Sequence, residues 1–397
     1  MNYIKDKRYI NLLLSFLLFI SFFTYNEILF HKASADSESL KAKEVYRAAL
    51  DILNKKYYLK SRVSTDIYQN KYEDKIKNLH DAHKYITKVL KELNDPYTRL
   101  LTKEEFEDEQ NIINSKLIGI GIKIANEKPV IVDILPNSPA KECGIKPNDY
   151  ILNIDNRTTR NLSSNQIASL MRGPKGSILT IKLKRDKNTI TKTLKRRELE
   201  FVSVSSKVLD DNIALLKVNS FIPEDTSRLF KEELIKLMSA SGIIIDLRNN
   251  SGGLFKNAVE IADMFLSEGK IVSTVNPSGK TNEFANSNKL YGSNLVILVN
   301  EKTASASEIL TSALKENNRA HIIGKKTYGK GLIQEIIKLP DDSALHVTVS
   351  SYLTPNGQNI NKTGVIPDEI ITDEDTQLKR AREILHSLMQ DSQLASL

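Results

Sequence analysis

Apolar residues recur at helical spacing through the first part of the chain. Two series have this spacing: Val45, Ala49, Ile52 and Leu53, and then Ala82, Ile86, Val89, Leu90 and Leu93. Asn94-Asp95-Pro96 ends the second series, and Thr102-Lys103-Glu104-Glu105 has the form of a capping box that opens another helix. The pattern predicts a small helical module over residues 36–111.

The period changes from helical to alternating at about Lys116. Five segments read as short strands separated by Pro, Gly and Asn turns: IGIGIKI, PVIVDIL, DYILNID, SILTIKLKR and TITKTLKRR. One helix-like stretch, from Ser164 to Met171, lies among them. Short strands with a single helix predict a compact, mainly-β domain, which we expect at residues 112–198.

Strands and helices alternate from Phe201 onward. The predicted strands are IALLKV, GIIIDLR, LVILVN and AHIIG, and the predicted helices run from Glu224 to Met238, Phe255 to Phe265 and Ser305 to Lys315. This alternation is typical of an α/β layered fold with at least partly parallel strands. We expect an α/β core at residues 199–375 and a C-terminal helix at residues 376–397.

The N-terminus has the composition of an export segment. Lys5, Lys7 and Arg8 precede an apolar run from Tyr9 to Tyr25, and Ala33-Ser34-Ala35 offers a small-x-small cleavage site. The run is short for a bilayer span of about 20 residues. Residues 1–35 are therefore read either as a cleaved signal peptide or as a membrane anchor through residues 9–25. Both readings place the rest of the chain in the periplasm or another extracytoplasmic space.

Composition and charge exclude several classes of protein. The 397 residues are 40% hydrophobic and 27% charged, which is ordinary for a globular protein. The net charge of +8 is spread along the chain, and the densest basic stretch, Lys192 to Arg197, has no aromatic residue for base stacking, so we expect no nucleic-acid partner. Cys143 is the single cysteine, and the histidines have no metal-binding spacing. We expect neither a metal nor another cofactor.

Two segments pass from an apolar strand directly into a helix, which is where α/β folds place their sites. In LVILVNEKTASASEI, Ser305 and Ser307 stand at the start of the helix, where a serine is either an N-cap or a nucleophile beside unsatisfied amides. In GIIIDLRNNSGGL, the pair Gly252-Gly253 lets backbone N–H groups approach a substrate, although a tight turn alone also needs glycine.

Lys330, in GKKTYGKGLIQ, is the candidate base. The first eight residues resemble a phosphate-binding loop, but Gly331 stands where that loop needs Ser or Thr, and LIQEIIKL reads as a strand instead of a helix. A neutral lysine can take the proton of a serine, and the acid-free surroundings TYGKGLI suit the lowered pKa that this role requires. On a strand, Gln334 would share the face of Lys330. A surface loop lysine is the alternative.

Taken together, these segments resemble the C-terminal processing peptidases, or tail-specific proteases. NDPYTRLLTKEEF is similar to the segment that leads into the PDZ domain of that family, and IGIGIKI, PNSPAKECGIKPNDYILNIDN and MRGPKGS are similar to parts of the PDZ domain. DLRNNSGGL, VNEKTASASEI, TYGKGLIQ and YLTPNGQNINKTGVIPD are similar to the catalytic motifs, in the same order. Asn250-Ser251 departs from the frequent Asn-Pro, and Tyr328 from the frequent Phe.

The resemblance implies a serine endopeptidase with a serine–lysine dyad and no cofactor, and the N-terminal segment predicts that it is exported. It assigns Ser305 as the nucleophile, Lys330 as the general base and Gln334 as the support of the base. The oxyanion donors it implies are the amides of Ala306 and of Gly252, with Gly253 as the alternative to Gly252. The implied fold is an α/β catalytic core with an inserted mainly-β PDZ domain and an N-terminal helical module.

The PDZ domains of this family bind the C-terminal tail of a substrate as an added strand. The resemblance therefore implies protein or peptide substrates with free apolar C-termini. It implies a carboxylate-binding loop made by Leu117, Gly119, Ile120, Gly121 and Ile122. Arg172 is either a sensor that couples PDZ occupancy to the active site or an exposed turn arginine.

Two further alternatives stay open. A catalytically silent PDZ adaptor that only binds protein C-termini is the rival function, although Ser305, Lys330 and Gln334 occurring together argue against it. Only a short stretch of sequence follows Asp368, so the long C-terminal dimerisation segment of some relatives is short or absent. Whether the chain forms a homo-oligomer is left open by the sequence.

Overall fold

The computed structural model describes residues 35–59, 64–115, 117–125, 128–199, 202–209, 211–287 and 289–394. The chain divides into two compact units, one formed by Met1–Glu104 with Gln334–Ser350 and the other by Glu105–Ile333 with Ser351–Leu397. The predicted apolar anchor at residues 9–25 lies outside the described residues. Within the described part of the chain, none of the helices is both long and apolar enough to cross a membrane.

The helices and strands are as follows. The helices are α1 (35–56), α2 (Thr65–Tyr72), α3 (Leu79–Glu92), α4 (Lys103–Ile113), α5 (Pro139–Glu142), α6 (Ser164–Met171), α7 (Thr226–Lys236), α8 (Phe255–Asp263), α9 (Ala306–Glu316) and α10 (Glu374–Leu394). The strands are β1 (Arg99–Leu101), β2 (Leu117–Gly119), β3 (Ile122–Ile124), β4 (Ile131–Ile134), β5 (Tyr150–Ile154), β6 (Arg157–Thr158), β7 (Ile178–Arg185), β8 (Asn188–Lys195), β9 (Arg197–Leu199), β10 (Val204–Val208), β11 (Ile213–Val218), β12 (Gly242–Asp246), β13 (Lys270–Asn276), β14 (Gly279–Phe284), β15 (Asn294–Val299), β16 (His321–Gly324), β17 (Leu332–Lys338), β18 (Ala344–Leu353) and β19 (Glu369–Ile370).

The first unit contains the predicted helical module. The apolar stripe of α3 is buried against α1, and Asn78 caps α3 by accepting a hydrogen bond from the Asp81 amide at 2.9 Å. Three residues from a distant part of the chain complete this core: Leu339, Leu345 and Val347. The first half of β18 pairs antiparallel with β1 and also lies beside β17. Helices α1 and α3 were predicted and α2 was not. Local periodicity also could not show that a segment from a distant part of the sequence packs on these helices.

The mainly-β domain of the second unit has a core of its own. Its strands form two pairs, β2 with β9 and β3 with β4, and a four-stranded sheet in the order β6-β5-β7-β8. The predicted helix between Ser164 and Met171 is α6, which Ser163 and Gln166 open with a capping box. Cys143 is half-buried against this core, instead of fully buried as a small apolar residue would be.

A partly buried ion pair joins the residue before β5 to the last residue of β7 in this domain. Asp149 is 1% exposed and accepts hydrogen bonds from Arg185 Nε and Nη2, both at 2.7 Å, and from the Lys146 amide at 2.9 Å. Burial by itself raises the pKa of the Asp149 carboxyl, but the Arg185 and Lys146 hydrogen bonds lower it by more, so the pKa lies below its ordinary value.

The depressed pKa predicts acid sensitivity of this domain. A carboxyl whose folded-state pKa is lowered contributes its stabilisation above the unfolded pKa of about 3.9 and loses it as the pH falls through the folded value. We expect Asp149→Asn to lower the local opening free energy of β5 and β7 by about 2 kcal/mol at pH 6. Hydrogen exchange at pH 6 and pH 3 measures this difference. It should shrink at pH 3, and the exposed control Asp133→Asn should change little; an equal loss at both pH values would contradict the prediction.

The α/β core of the second unit is a six-stranded sheet in the order β10-β11-β12-β15-β16-β19, parallel except for β10. Alternate residues of β12 pack on opposite faces of the sheet: Ile243 and Ile245 join the cluster formed with α7, α8 and α9, and Ile244 joins the cluster formed with α10. Since both faces are covered, these strands read as continuous apolar runs. The predicted alternation of strands and helices is confirmed, and α10 occupies the stretch in which a C-terminal helix is expected.

One supersecondary element has no counterpart among the predictions. β13 and β14 form an antiparallel hairpin, and the end of β18 pairs with β13, with Leu353 opposite Ser273. Every residue of β14 is exposed. A polar strand such as GKTNEF has no apolar alternation by which it could be recognised in the sequence.

Candidate active site

The two strand-to-helix junctions that the sequence singled out lie side by side at one edge of the parallel sheet. β12 and β15 are neighbouring parallel strands, so their carboxyl ends meet at the same edge. Just beyond them, the Asn249 amide donates to Asn300 Oδ1 at 3.0 Å, and the Ala304 amide donates to the Asn250 carbonyl at 3.0 Å. The glycine loop and the serine segment are thereby bonded to each other.

Ser305 occupies the N-cap position of α9 with a strained backbone. Its φ of 57° and ψ of −120° lie in a region that non-glycine residues rarely adopt and that is concentrated at functional sites. Ser307 lies two positions further on, and its surroundings differ: its side chain is fully buried, and its Oγ donates to the Asn250 carbonyl at 3.1 Å. Of the two serines, only Ser305 combines partial exposure with a backbone that turns sharply into a helix.

Glu308 joins the backbone of Ser305 to the loop that carries Lys330. Its side chain is fully buried. Oε2 accepts from the Ser305 amide at 2.8 Å and from the Lys330 amide at 2.9 Å. Oε1 accepts from the Gly329 amide at 2.7 Å and from the Thr327 hydroxyl. Two amides that donate to one oxygen must lie close together, so Ser305 and Lys330 are neighbours in space although they are well separated in the sequence.

Tyr352 makes a second connection between the same two residues. Its hydroxyl lies 2.7 Å from the Lys330 carbonyl oxygen and 3.3 Å from the Ser305 carbonyl oxygen. The Tyr352 amide donates to the Gly331 carbonyl at 3.0 Å, and the tyrosine side chain is fully buried. The Lys330 backbone is therefore held on one side by a carboxylate and on the other by a phenol.

Gly252 and Gly253 occupy positions where no side chain fits. A Cβ on Gly252 would lie 2.8 Å from Ser305 Cβ and 2.9 Å from the Ala306 nitrogen, and a Cβ on Gly253 would lie 2.1 Å from the Phe221 carbonyl carbon. Both residues have positive φ. The Gly252 amide donates to Asn250 Oδ1 at 2.9 Å. The backbone of Gly252 is thus packed directly against the candidate nucleophile.

The strand expected to carry both Lys330 and Gln334 is shorter than predicted. β17 begins at Leu332, so Lys330 precedes it and the shared strand face does not extend to the lysine. The reason is the pair of flanking glycines: Gly329 has a φ of 87°, and its carbonyl accepts from the Lys362 amide at 2.7 Å. Gln334 belongs to the first unit, where its Nε2 lies 3.5 Å from Thr348 Oγ1. Its supporting role stays a prediction.

The residues assigned to tail binding lie around the turn between β2 and β3. Leu117 and Gly119 belong to β2 and Ile122 to β3. The Ile120 and Gly121 carbonyls accept from the Ala140 and Leu135 amides, both at 2.9 Å. Gly121 has a φ of 81°, and a Cβ there would lie 2.2 Å from Ser138 Cβ. The loop is therefore tightly held, while its role in binding stays a prediction.

Arg172 is the C-cap residue of α6, and its side chain forms an ion pair instead of being an isolated turn arginine. Its Nη1 lies 2.7 Å from Asp108 Oδ2 on α4, so it joins the PDZ helix to the helix that precedes the domain. The guanidinium is about one-third exposed. The partner Asp108 was not predicted, because an ion pair between distant segments leaves no local sequence signal.

Sequence reasoning missed three other residues of this site. They are Asn250, Glu308 and Tyr352. Glu308 had a readable signal, because Ser305 and Glu308 have the spacing of a capping box. Tyr352 had none, because its contacts are to distant backbone groups. Asn250 makes one local contact, to the Gly252 amide, but its contact to the Val218 carbonyl joins distant segments. Within the described residues, no group of three or more His, Cys, Asp or Glu side chains is arranged to hold a metal ion.

Comparisons with known proteins identify the family of the chain. The family described as Peptidase family S41 matches residues 212–371, and a PDZ domain matches residues 130–185. A carboxyl-terminal-processing protease of Picosynechococcus sp. is 37% identical over 310 residues, which is 75% of each chain. The carboxy-terminal processing protease CtpA of Bacillus subtilis is 31% identical over 324 residues, covering 80% of this chain and 68% of that one.

A solved structure extends the match to three dimensions. The photosystem II D1 C-terminal processing protease aligns with a TM-score of 0.65 and 28% identity, over 87% of this chain and 97% of its own. The S41 core with an inserted PDZ domain and an N-terminal helical part is therefore the fold of this chain. The chain belongs to the carboxyl-terminal-processing proteases of Peptidase family S41, and is a serine-type peptidase.

Proposed function

We propose that this peptidase is an exported endopeptidase that binds the free C-terminal tail of a protein substrate in its PDZ domain and cleaves with Ser305 and Lys330. The observation that carries the proposal is the buried Glu308 carboxylate, whose Oε2 accepts from the amides of both residues. Export is proposed from the apolar N-terminal run alone.

In the proposed reaction, Ser305 Oγ adds to the carbonyl carbon of the scissile bond while its proton passes to the neutral Lys330 amine. The lysine then gives that proton to the leaving amine, which departs as the acyl-enzyme forms. Water next adds to the acyl carbon while its proton passes to Lys330. The lysine then gives that proton to Ser305 Oγ as the bond between Oγ and the acyl carbon breaks, which releases the carboxylic acid product and restores the serine hydroxyl and the neutral amine. Gln334 is assigned to orient the amine. The Ser305 hydroxyl needs Lys330 as a base because a hydroxyl is a weak nucleophile at neutral pH.

The negative oxygen formed at each addition needs preorganised donors. The Ala306 amide is the first amide of α9 after Ser305, where N–H groups lack partners inside the helix and the dipole favours negative charge. The Gly252-Gly253 backbone, packed on Ser305, supplies the second donor. Arg172, paired with Asp108, is the group proposed to report PDZ occupancy.

A peptide with a free apolar C-terminus tests tail recognition. The expected result is cleavage at an internal bond, with kcat/KM reduced about tenfold or more when the C-terminus is amidated, because the loop at Ile120 and Gly121 then loses a carboxylate bound by charge-assisted hydrogen bonds. Mass spectrometry of the products gives both rate and position. Equal rates for acid and amide would contradict tail recognition, and binding of both peptides without cleavage would favour the adaptor.

A further inference from the structure

The Asn250 side chain is buried directly behind the glycine pair and has no part in the proposed chemistry. It is 1% exposed. Its Nδ2 donates to the Val218 carbonyl at the end of β11 at 2.7 Å, and its Oδ1 accepts from the Gly252 amide at 2.9 Å. Both halves of the amide are therefore used, one as a donor and one as an acceptor.

The backbone of Asn250 is bonded to the nucleophile segment. Its carbonyl oxygen accepts from the Ala304 amide at 3.0 Å and from Ser307 Oγ at 3.1 Å. Asn250 thus connects the end of β11, the glycine loop and the first turn of α9. A shift of this residue would move the glycine backbone relative to Ser305.

The same contacts decide which amides remain available beside Ser305. The Gly252 amide is occupied by Asn250. The Phe221 amide donates to the Gly252 carbonyl and the Leu254 amide to the Phe221 carbonyl, both at 2.9 Å. Because successive amides of an extended chain point to opposite sides, Gly253 N–H points away from Phe221. Among the described residues, the Gly253 and Ala306 amides have no hydrogen-bond partner.

We infer that Asn250 is the positioning residue of the oxyanion hole: its side-chain amide holds the glycine loop so that the Gly253 and Ala306 amides are the two donors presented at Ser305. The inference rests on the proposed role of Ser305. Asparagine suits this position because it is neutral and offers one donor and one acceptor. An aspartate at this position would place a carboxylate oxygen opposite the Val218 carbonyl oxygen, and neither atom can donate a hydrogen bond. It would also place a negative charge near the developing oxyanion.

The test compares Asn250→Asp with the parent in the full chain. We expect kcat to fall about 10²- to 10³-fold, while KM and the affinity of the PDZ domain for a C-terminal peptide stay unchanged. A peptidyl trifluoromethyl ketone supplies the specific readout. Ser305 Oγ adds to its carbonyl carbon, the serine proton passes to Lys330, and the carbonyl oxygen becomes an oxyanion. Its affinity should fall in parallel with kcat, whereas a general loss of structure would also weaken peptide binding.

Lowering the pH is expected to restore activity to the Asn250→Asp variant. A protonated aspartic acid again offers one donor and one acceptor, so the rate of Asn250→Asp relative to the parent should rise as the pH is lowered; taking the ratio removes the shared titration of the base.

Ser307→Ala is a milder variant that removes one bond to the Asn250 carbonyl, and we expect kcat to fall about tenfold with KM unchanged. Ser312→Ala, a buried serine farther along α9 that bonds to Ile309, is the matched control.

The outcomes separate the inference from the proposed function. Parent-like kcat and ketone affinity in both Asn250→Asp and Ser307→Ala overturn the inference. A loss of peptide binding equal to the loss of ketone binding also overturns it, since the residue would then maintain the fold alone. If Ser305→Ala keeps full activity, the proposed function itself fails.

Discussion

Replacing Ser305 with alanine is expected to lower kcat/KM for a cleaved C-terminal tail about 10⁴-fold or more, and Lys330→Ala about 10³-fold. The two residues act as one unit, because the hydroxyl is a poor nucleophile without the amine and the amine has no proton to take without the hydroxyl. The double variant should therefore be little worse than Ser305→Ala. Steady-state cleavage assays with product masses measure all three.

Two matched controls keep this result specific to the dyad. Ser312→Ala removes a buried serine hydroxyl from the same helix, and Lys326→Ala removes an exposed lysine from the same loop as Lys330. Both should retain activity close to that of the parent. A serine-reactive fluorophosphonate should label the parent at Ser305, which distinguishes a peptidase from a silent adaptor. Unchanged cleavage in either Ser305→Ala or Lys330→Ala would eliminate the dyad.

Replacing Glu308 with glutamine is expected to lower both the stability of the protein and kcat. Both carboxylate oxygens face donors, the Ser305 and Lys330 amides on one side and the Gly329 amide and Thr327 hydroxyl on the other. In either orientation, a glutamine NH₂ would point at two donors. We expect about 3 kcal/mol of lost stability and a fall in kcat of about 10²-fold, since a displacement of about 1 Å between nucleophile and base has that consequence.

The matched control is Glu316→Gln on the same helix. Glu316 bears the same charge, and among the described residues its Oε2 accepts a hydrogen bond from the Asn356 amide alone, at 2.7 Å. The NH₂ group of a glutamine can rotate away from that single donor, so stability and kcat should change little. Urea unfolding together with kcat for the two variants separates the effect of the Glu308 position from that of lost charge. A Glu308→Gln variant with parental kcat would contradict the assigned role.

Much of the fold could be predicted from the sequence, because local periodicity indicates which segments form helices and which form strands. Alternation marked the PDZ strands, apolar runs marked the buried strands β12 and β15, and serine and glycine at the strand ends marked the two junctions. Features that were not predicted include helix α2, the hairpin β13–β14, whose strand β14 has no apolar alternation, and the packing of Leu339, Leu345 and Val347 into the helical module. Contacts between distant segments depend on chain topology, which periodicity does not encode.

By itself, the sequence determined the fold class, the two junctions, and Ser305 and Lys330 as the candidate pair, because residue type and ordered motifs are properties of the chain. Only the tertiary structure decided that Glu308 and Tyr352 hold that pair together, that Ser307 is buried, and that the Gly252 amide is occupied by Asn250. The physical reason is that a buried polar group must find a partner. The partner that it finds is set by which backbone atoms the packed sheet and helices bring within about 3 Å.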